Sequence, residues 1–141
     1  TVDSATALIG FGASAIGRLP QGYVQNTVGT AIYQRQAEAN GTAIDRGIAL
    51  TDEDRLRSYT IERLLCDFSI SIDDLKRRYG ELARPLATEM AHVASCDADG
   101  LTEFDGDRLI VTPRGRPFVR SIAASFDAYL INDGARYSIA V

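Results

Sequence analysis

The tightest constraint on this chain is a change of hydrophobic period between residues 101 and 111. Leu101–Phe104 and Leu109–Val111 are short strand-like runs on either side of Asp105-Gly106-Asp107. Asp-Gly between such runs favours a tight hairpin turn. Helical periodicity holds on both sides of it. Upstream, Thr51-Asp52-Glu53-Asp54 reads as a helix start, a capping residue followed by three acids that complement the positive end of the helix dipole. Ile61, Leu64, Leu65 and Phe68 follow at the spacing of a core-facing stripe. Ser71, with Asp73 and Asp74, opens a short helix that ends at Gly80. Pro85 lies in the first turn of a third helix, from about Arg84 to Ala98, with Leu86, Met90 and Val93 on one side. Downstream, Thr112-Pro113 caps a last helix whose face is Phe118, Ile122, Phe126 and Leu130, closed by Asn132-Asp133-Gly134.

Three helices, a hairpin and a further helix, over about residues 51–130, form a winged-helix-like pattern. The expected fold class is therefore mainly α. Residues 1–25 read differently. Ala7 to Gly17 is an apolar run broken by glycines, followed by Pro20 and Gly22, which predicts a strand ending in a loop. A helix is expected over Thr27–Asn40, with Asn26 as cap and Gly41 as stop. The expected division is a strand-and-loop segment at 1–25 and a helical domain at 26–141.

Composition narrows the partners. At 141 residues and 45% hydrophobic content the chain can bury one sizeable core. A net charge of −4 argues against a general binder of polyanions. A winged-helix DNA reader would need basic or amide side chains on its third helix and at its hairpin. Here the third helix carries Arg84, Glu89 and His92 and runs into Asp97 and Asp99, and the turn carries Asp105 and Asp107. Such a surface repels phosphate, so nucleic acid is not an expected partner. No apolar run approaches the roughly 20 residues that cross a bilayer, so neither is a membrane. Cys66 and Cys96, 30 residues apart in helical patterns, fit two reduced structural thiols in a cytoplasmic protein better than a disulfide or a metal knuckle. The single His92, mid-helix, is a poor metal ligand alone. No nucleophile elbow and no dinucleotide fingerprint is present, since Ala15 stands where GxGxxG needs glycine.

Four stretches then carry a resemblance: Leu8-Ile9-Gly10-Phe11-Gly12-Ala13-Ser14-Ala15-Ile16, Tyr23-Val24-Gln25-Asn26, Arg46-Gly47-Ile48-Ala49-Leu50-Thr51 and Leu64-Leu65-Cys66-Asp67-Phe68. With Asp99-Gly100-Leu101, Val111-Thr112, Gly115-Arg116 and Phe126-Asp127-Ala128-Tyr129-Leu130, they resemble the oxygen-independent coproporphyrinogen III oxidases in the family's order. The resemblance covers nearly the whole chain. It implies a radical enzyme whose partial barrel binds a [4Fe-4S] cluster through CxxxCxxC and two S-adenosylmethionine molecules, and which oxidatively decarboxylates two propionates of coproporphyrinogen III to give protoporphyrinogen IX. Nothing here matches the cysteine motif. By the resemblance, residues 1–25 are the end of that barrel and the remainder is a helical domain that helps cover the active site. The chain starts at Thr1 without an initiator Met, so a fragment is expected, inactive alone, whose partner is the rest of its own polypeptide in a monomeric parent.

The resemblance further implies that Ile16 contacts the second S-adenosylmethionine, with Gly12 and Ala13 next to it. Glycines let backbone approach a ligand closely, and Ile16 offers apolar surface to an adenosyl group. The competing reading makes the glycines a strand end and Ile16 a core residue. A substrate with four carboxylates calls for arginines, and Arg18 and Arg46, with Arg116, are nearest the family-like stretches. No residue is assigned a catalytic or metal-binding role. Two other parents stay open: a related haem chaperone, and a winged-helix interaction module that does not bind DNA.

Overall fold

The expected hairpin forms, and it organises the second half of the chain. In the computed structural model, which describes residues 5–130, β5 (Thr102–Phe104) and β6 (Arg108–Val111) are antiparallel, and β6 also pairs with β4 (Ser69–Ser71), giving the order β4-β6-β5. The turn is held by Asp105, whose Oδ1 accepts from the amides of Asp107 (2.9 Å) and Arg108 (2.7 Å). Asp107 does more than close it. Its Oδ1 accepts from Asp73 N (3.0 Å) and its Oδ2 from the Ser71 hydroxyl (2.8 Å), so the hairpin tip caps the start of α3 (Ile72–Tyr79). Ser71 in turn accepts from Asp74 N, the cap expected from sequence.

Around this sheet lie α2 (Asp52–Asp67), α3, α4 (Arg84–Ser95) and α5 (Val119–Ala124), in a helix-rich second unit that begins at Asp52. Leu64, Leu75, Leu109 and Phe126 are fully buried, with Leu56, Leu86, Met90 and Val111 beside them. At about 25 cal/mol per Å² of apolar surface, each large side chain so buried contributes about 2 kcal/mol. On α2 the buried line is Leu56, Thr60, Leu64, while Leu65, expected in the core, is 40% exposed. Thr60 escapes a hydrophobic-stripe count because it is polar; its hydroxyl is satisfied by Leu56 O at 3.0 Å. The last helix is shorter than expected. Phe118 is 52% exposed and Leu130 47%, and beyond α5 the Asp127 carboxylate accepts from Tyr129 N (2.9 Å), an Asx-turn that replaces helical bonding. Asn132-Asp133-Gly134 lies outside the described residues. α4 stops at Ser95, before the expected Ala98, because the Asp97 carboxylate bonds forward to Thr102.

The first unit, up to Thr51, is a three-stranded antiparallel sheet, β1 (Ile16–Leu19), β2 (Gly22–Asn26) and β3 (Ile44–Ala49), with α1 (Thr30–Asn40) between β2 and β3. The strand follows the glycine-rich stretch instead of ending in it. Leu8 makes only an isolated bridge to Arg18, whereas Pro20-Gln21 turns β1 into β2. Asn26 does not cap α1. It ends β2, and its side-chain amide donates to Gly10 O and Gly12 O, both at 3.0 Å. β3 is absent from the sequence expectations because all six of its residues are exposed and leave no alternation of burial to read. Its pairing with β2 puts residues 26–51 in the same unit as the segment that the sequence reading ends at residue 25.

Candidate functional site

The register of the sheet brings together residues that the sequence leaves far apart. Ile16 pairs with Gln25, and Gln25 with Arg46; one step along, Arg18 pairs with Tyr23, and Tyr23 with Ile48. Positions two apart on a strand share a face, so all six side chains occupy one side of the sheet. Five of them, with Gly47, line a shallow hollow of about 220 Å³: Ile16, Tyr23, Gln25, Arg46 and Ile48. Ile16 is 58% exposed and Ile48 57%, so neither belongs to a core. Between them Arg46 Nε donates to Gln25 Oε1 (2.8 Å), and Gln25 Nε2 donates to Ser14 O (3.1 Å), fixing the guanidinium on a side chain that is itself anchored to the glycine-rich loop. Arg46 has no carboxylate partner among the described residues.

That loop is pinned as well. Gly12 adopts φ +103°, which only glycine takes without strain, and its amide donates to the Tyr33 hydroxyl of α1 at 3.1 Å. A Cβ at Gly12 would meet nothing within 4 Å, so the loop is open on that side. Ala13 is half-buried beside it. The structure thus places Ile16 and Arg46 on one hollow, Arg18 on the same face, and Gly12 and Ala13 in the adjoining loop. Arg116, the remaining arginine singled out from sequence, lies in the second unit with its guanidinium 4.7 Å over the Phe68 ring, a packing role.

The second unit has a larger concavity, about 830 Å³, along α4 and the segment after α5. Arg57 is its half-buried anchor. Its Nη groups bond both carboxylate oxygens of Glu89 (3.0 Å each), its Nε meets Glu53 (3.0 Å), and Nη1 also donates to Phe126 O (3.1 Å). The Glu89 hydrogen bond raises the guanidinium's pKa further above its ordinary value, against the opposing effect of burial. Sequence reasoning missed this residue, although Arg57 four places after Glu53 is a readable pair. His92 and Cys96 are both exposed on the same wall, with Cys96 Sγ 3.6 Å from His92 Nδ1. Cys96 is therefore not the structural thiol expected from sequence, whereas Cys66 is half-buried. Among the described residues no group of three or more His, Cys, Asp or Glu is placed to hold a metal ion, and no helix is long and apolar enough to cross a membrane.

The family model described as "HemN C-terminal domain" matches residues 50–118. Oxygen-independent coproporphyrinogen III oxidase from Bradyrhizobium diazoefficiens is 45% identical over 130 residues, 92% of this chain and 29% of the relative. The enzyme of the same name from Paracoccus denitrificans is 41% identical over 129 residues, 92% of this chain and 28% of its own length. A solved structure of coproporphyrinogen III oxidase (HemN) from Escherichia coli, a radical SAM enzyme, superposes with a TM-score of 0.81 at 33% identity, over 92% of this chain and 30% of that one. The chain thus spans under a third of the length of the proteins it matches.

Proposed function

We infer the role of this chain from its family: it belongs to the oxygen-independent coproporphyrinogen III oxidases, to the portion that carries their HemN C-terminal domain. Within such an enzyme the reaction is the oxidative decarboxylation of two propionate side chains of coproporphyrinogen III, giving protoporphyrinogen IX. The chain's share is to help cover the active site and to contribute, through Ile16, to the site of a second S-adenosylmethionine, with Gly12 and Ala13 in the neighbouring backbone.

The observation that carries this reading is the common sheet face. Ile16 is an exposed apolar side chain in a hollow whose other wall holds Arg46, and the open Gly12 loop adjoins it. S-adenosylmethionine has an apolar nucleoside face and a carboxylate, and the residues present fit both: Ile16 packs on the adenosyl group, and Arg46, oriented by Gln25, meets a carboxylate with its Nη pair. Arg18, on the same face, is a second cation for the substrate's carboxylates. The [4Fe-4S] cluster has no ligand set among the described residues, so its cysteines belong elsewhere in the enzyme. When bound, S-adenosylmethionine and the cluster together supply the hydrogen-abstracting oxidant. What this chain's residues do is bind, orient and exclude water.

Anaerobic turnover of coproporphyrinogen III by the full-length enzyme with reconstituted cluster tests the reading. Ile16→Asp sets a carboxylate against the adenosyl face and lowers kcat/KM at least ~10-fold, about 1.4 kcal/mol in the barrier, at unchanged cluster content. Ile16→Leu keeps most activity. Normal turnover by Ile16→Asp would remove the residue from the site, and a fully reconstituted wild-type enzyme without turnover would remove the oxidase activity itself.

A further inference from the structure

We propose that Asn26 is a positioning residue for the second S-adenosylmethionine site, clamping the glycine-rich loop that delivers Ile16; the inference rests on the reading of Ile16 given above. The loop, residues 10–15, runs directly into β1, so its conformation decides where the Ile16 side chain begins. Apolar packing does not hold it. Among the described residues of the first unit Ala43 is the one buried hydrophobic side chain, and α1 buries none. The backbone is also unfavourable to fix. Gly12 stands at φ +103° and Ser14 at φ +61°, where residues other than glycine seldom sit, and glycine loses more freedom on ordering than any other residue.

Hydrogen bonds from the end of β2 supply the restraint. The Asn26 carboxamide nitrogen carries two hydrogens and gives one to Gly10 O and one to Gly12 O, both at 3.0 Å. Its backbone amide donates to Ala15 O (2.9 Å), and Ser14 N donates to Thr27 O (3.0 Å). Gln25, whose side chain leaves the strand on the opposite face, donates to Ser14 O (3.1 Å). The loop therefore wraps the end of β2. The Tyr33 hydroxyl adds an acceptor for Gly12 N (3.1 Å). Among the described residues, Asn26 is the one side chain that bridges two of the loop's carbonyls, and it sets the loop from one strand face while Gln25 orients Arg46 on the other. Two carbonyl oxygens are bridged only by a donor. A carboxylate of the same shape in place of the amide would repel both.

Equilibrium binding of S-adenosylmethionine to the cluster-loaded full-length enzyme tests this, with anaerobic turnover measured beside it. Asn26→Asp should leave the first binding step unchanged and weaken the second by about 10-fold, the reduction expected when the competent loop conformation falls to about a tenth of the population. Tyr33→Phe removes one bond and keeps the ring, so a loss of about 2- to 5-fold in the same step is expected. In turnover the defect should lie in KM for S-adenosylmethionine more than in kcat, at unchanged cluster content. Weakening of both steps together would make Asn26 a general structural residue and overturn the proposal. Should Asn26→Asp fail to fold, Tyr33→Phe decides, and an unchanged second step there overturns it. Normal second-step binding in Asn26→Asp, where Ile16→Asp loses it, would end the positioning role and leave Ile16 in the site. Normal binding in both would remove the site itself.

Discussion

Replacing Gly115 by alanine isolates a close backbone approach that no side-chain count reveals. Gly115 has φ −78° and ψ −20°, an ordinary helical conformation, so alanine there incurs no dihedral penalty and should stabilise through the unfolded chain by about 0.4–1 kcal/mol. Sterics oppose this. A Cβ at 115 would stand 2.0 Å from Leu101 O and 3.0 Å from Val111 Cγ1. Relief requires the two backbones to part by about 1.3 Å, the gap between the 2.0 Å approach to Leu101 O and an ordinary carbon–oxygen contact near 3.3 Å. Leu101 O accepts from Thr112 N (2.9 Å), and Gly115 N donates to Thr112 Oγ1 (3.1 Å), so the same shift breaks both bonds at about 1 kcal/mol each and adds overpacking strain of about 1–3 kcal/mol. The steric effect wins, and the net loss is about 2–4.5 kcal/mol. For a unit of this size that is a fall in Tm of about 10–35 °C, read by far-ultraviolet circular dichroism and cross-checked by the urea midpoint. A variant as stable as the parent chain would refute the reasoning, because it would mean that Leu101 and Gly115 can separate without cost.

Two further tests bear on the second unit. Arg57→Ala strips Glu89 and Phe126 O of their shared donor and should cost about 1.5–3 kcal/mol; adding Glu89→Gln should recover part of that loss, and strict additivity in a double-mutant cycle would count against coupling. Asp105 is held below the ordinary carboxylate range first by the Arg108 amide and then by that of Asp107. A depressed folded-state pKa contributes stability that is present above the unfolded value near 4 and is lost as pH falls through the folded value, so Asp105→Asn should flatten the acid limb below about pH 4 and leave pH 7 to 9 unchanged in slope. A variant whose stability falls with acid as steeply as the parent's would count against this assignment.

Local signals were legible wherever chemistry is local. The Ser71 cap, Pro85 in the first turn of α4, Gly41 ending α1 in the left-handed region and the Asp-Gly hairpin each follow from a few adjacent residues. What escaped depends on partners distant in the chain. β3 is exposed along its length and exists by pairing with β2, its partners running from Asn26–Ile44 to Gly22–Ala49, so no periodicity announces it. Asn26 resembles a helix cap by type, but the carbonyls it bonds belong to Gly10 and Gly12. Of the candidate site, the residue types were readable from the family-like stretches, whereas the row from Ile16 through Gln25 to Arg46 is a product of register. His92 and Cys96 are a case between these: their spacing of four is written in the sequence, but the contact depends on where α4 ends.

The bond from the hairpin to α3 also limits where this chain can be edited. Tips of hairpins are ordinarily the places where inserted residues, epitope tags or circular-permutation sites are accepted. Here Asp107 sits at such a tip and at the same time receives the Ser71 hydroxyl and the Asp73 amide, 36 and 34 positions earlier. Lengthening the turn would carry that carboxylate away and leave a helix start unsupported in the middle of the unit. For a fusion partner or a spectroscopic label, the turn after α1 at Gly41 is the better place, since it is exposed and its departure from the helix bonds only to Ala37 O.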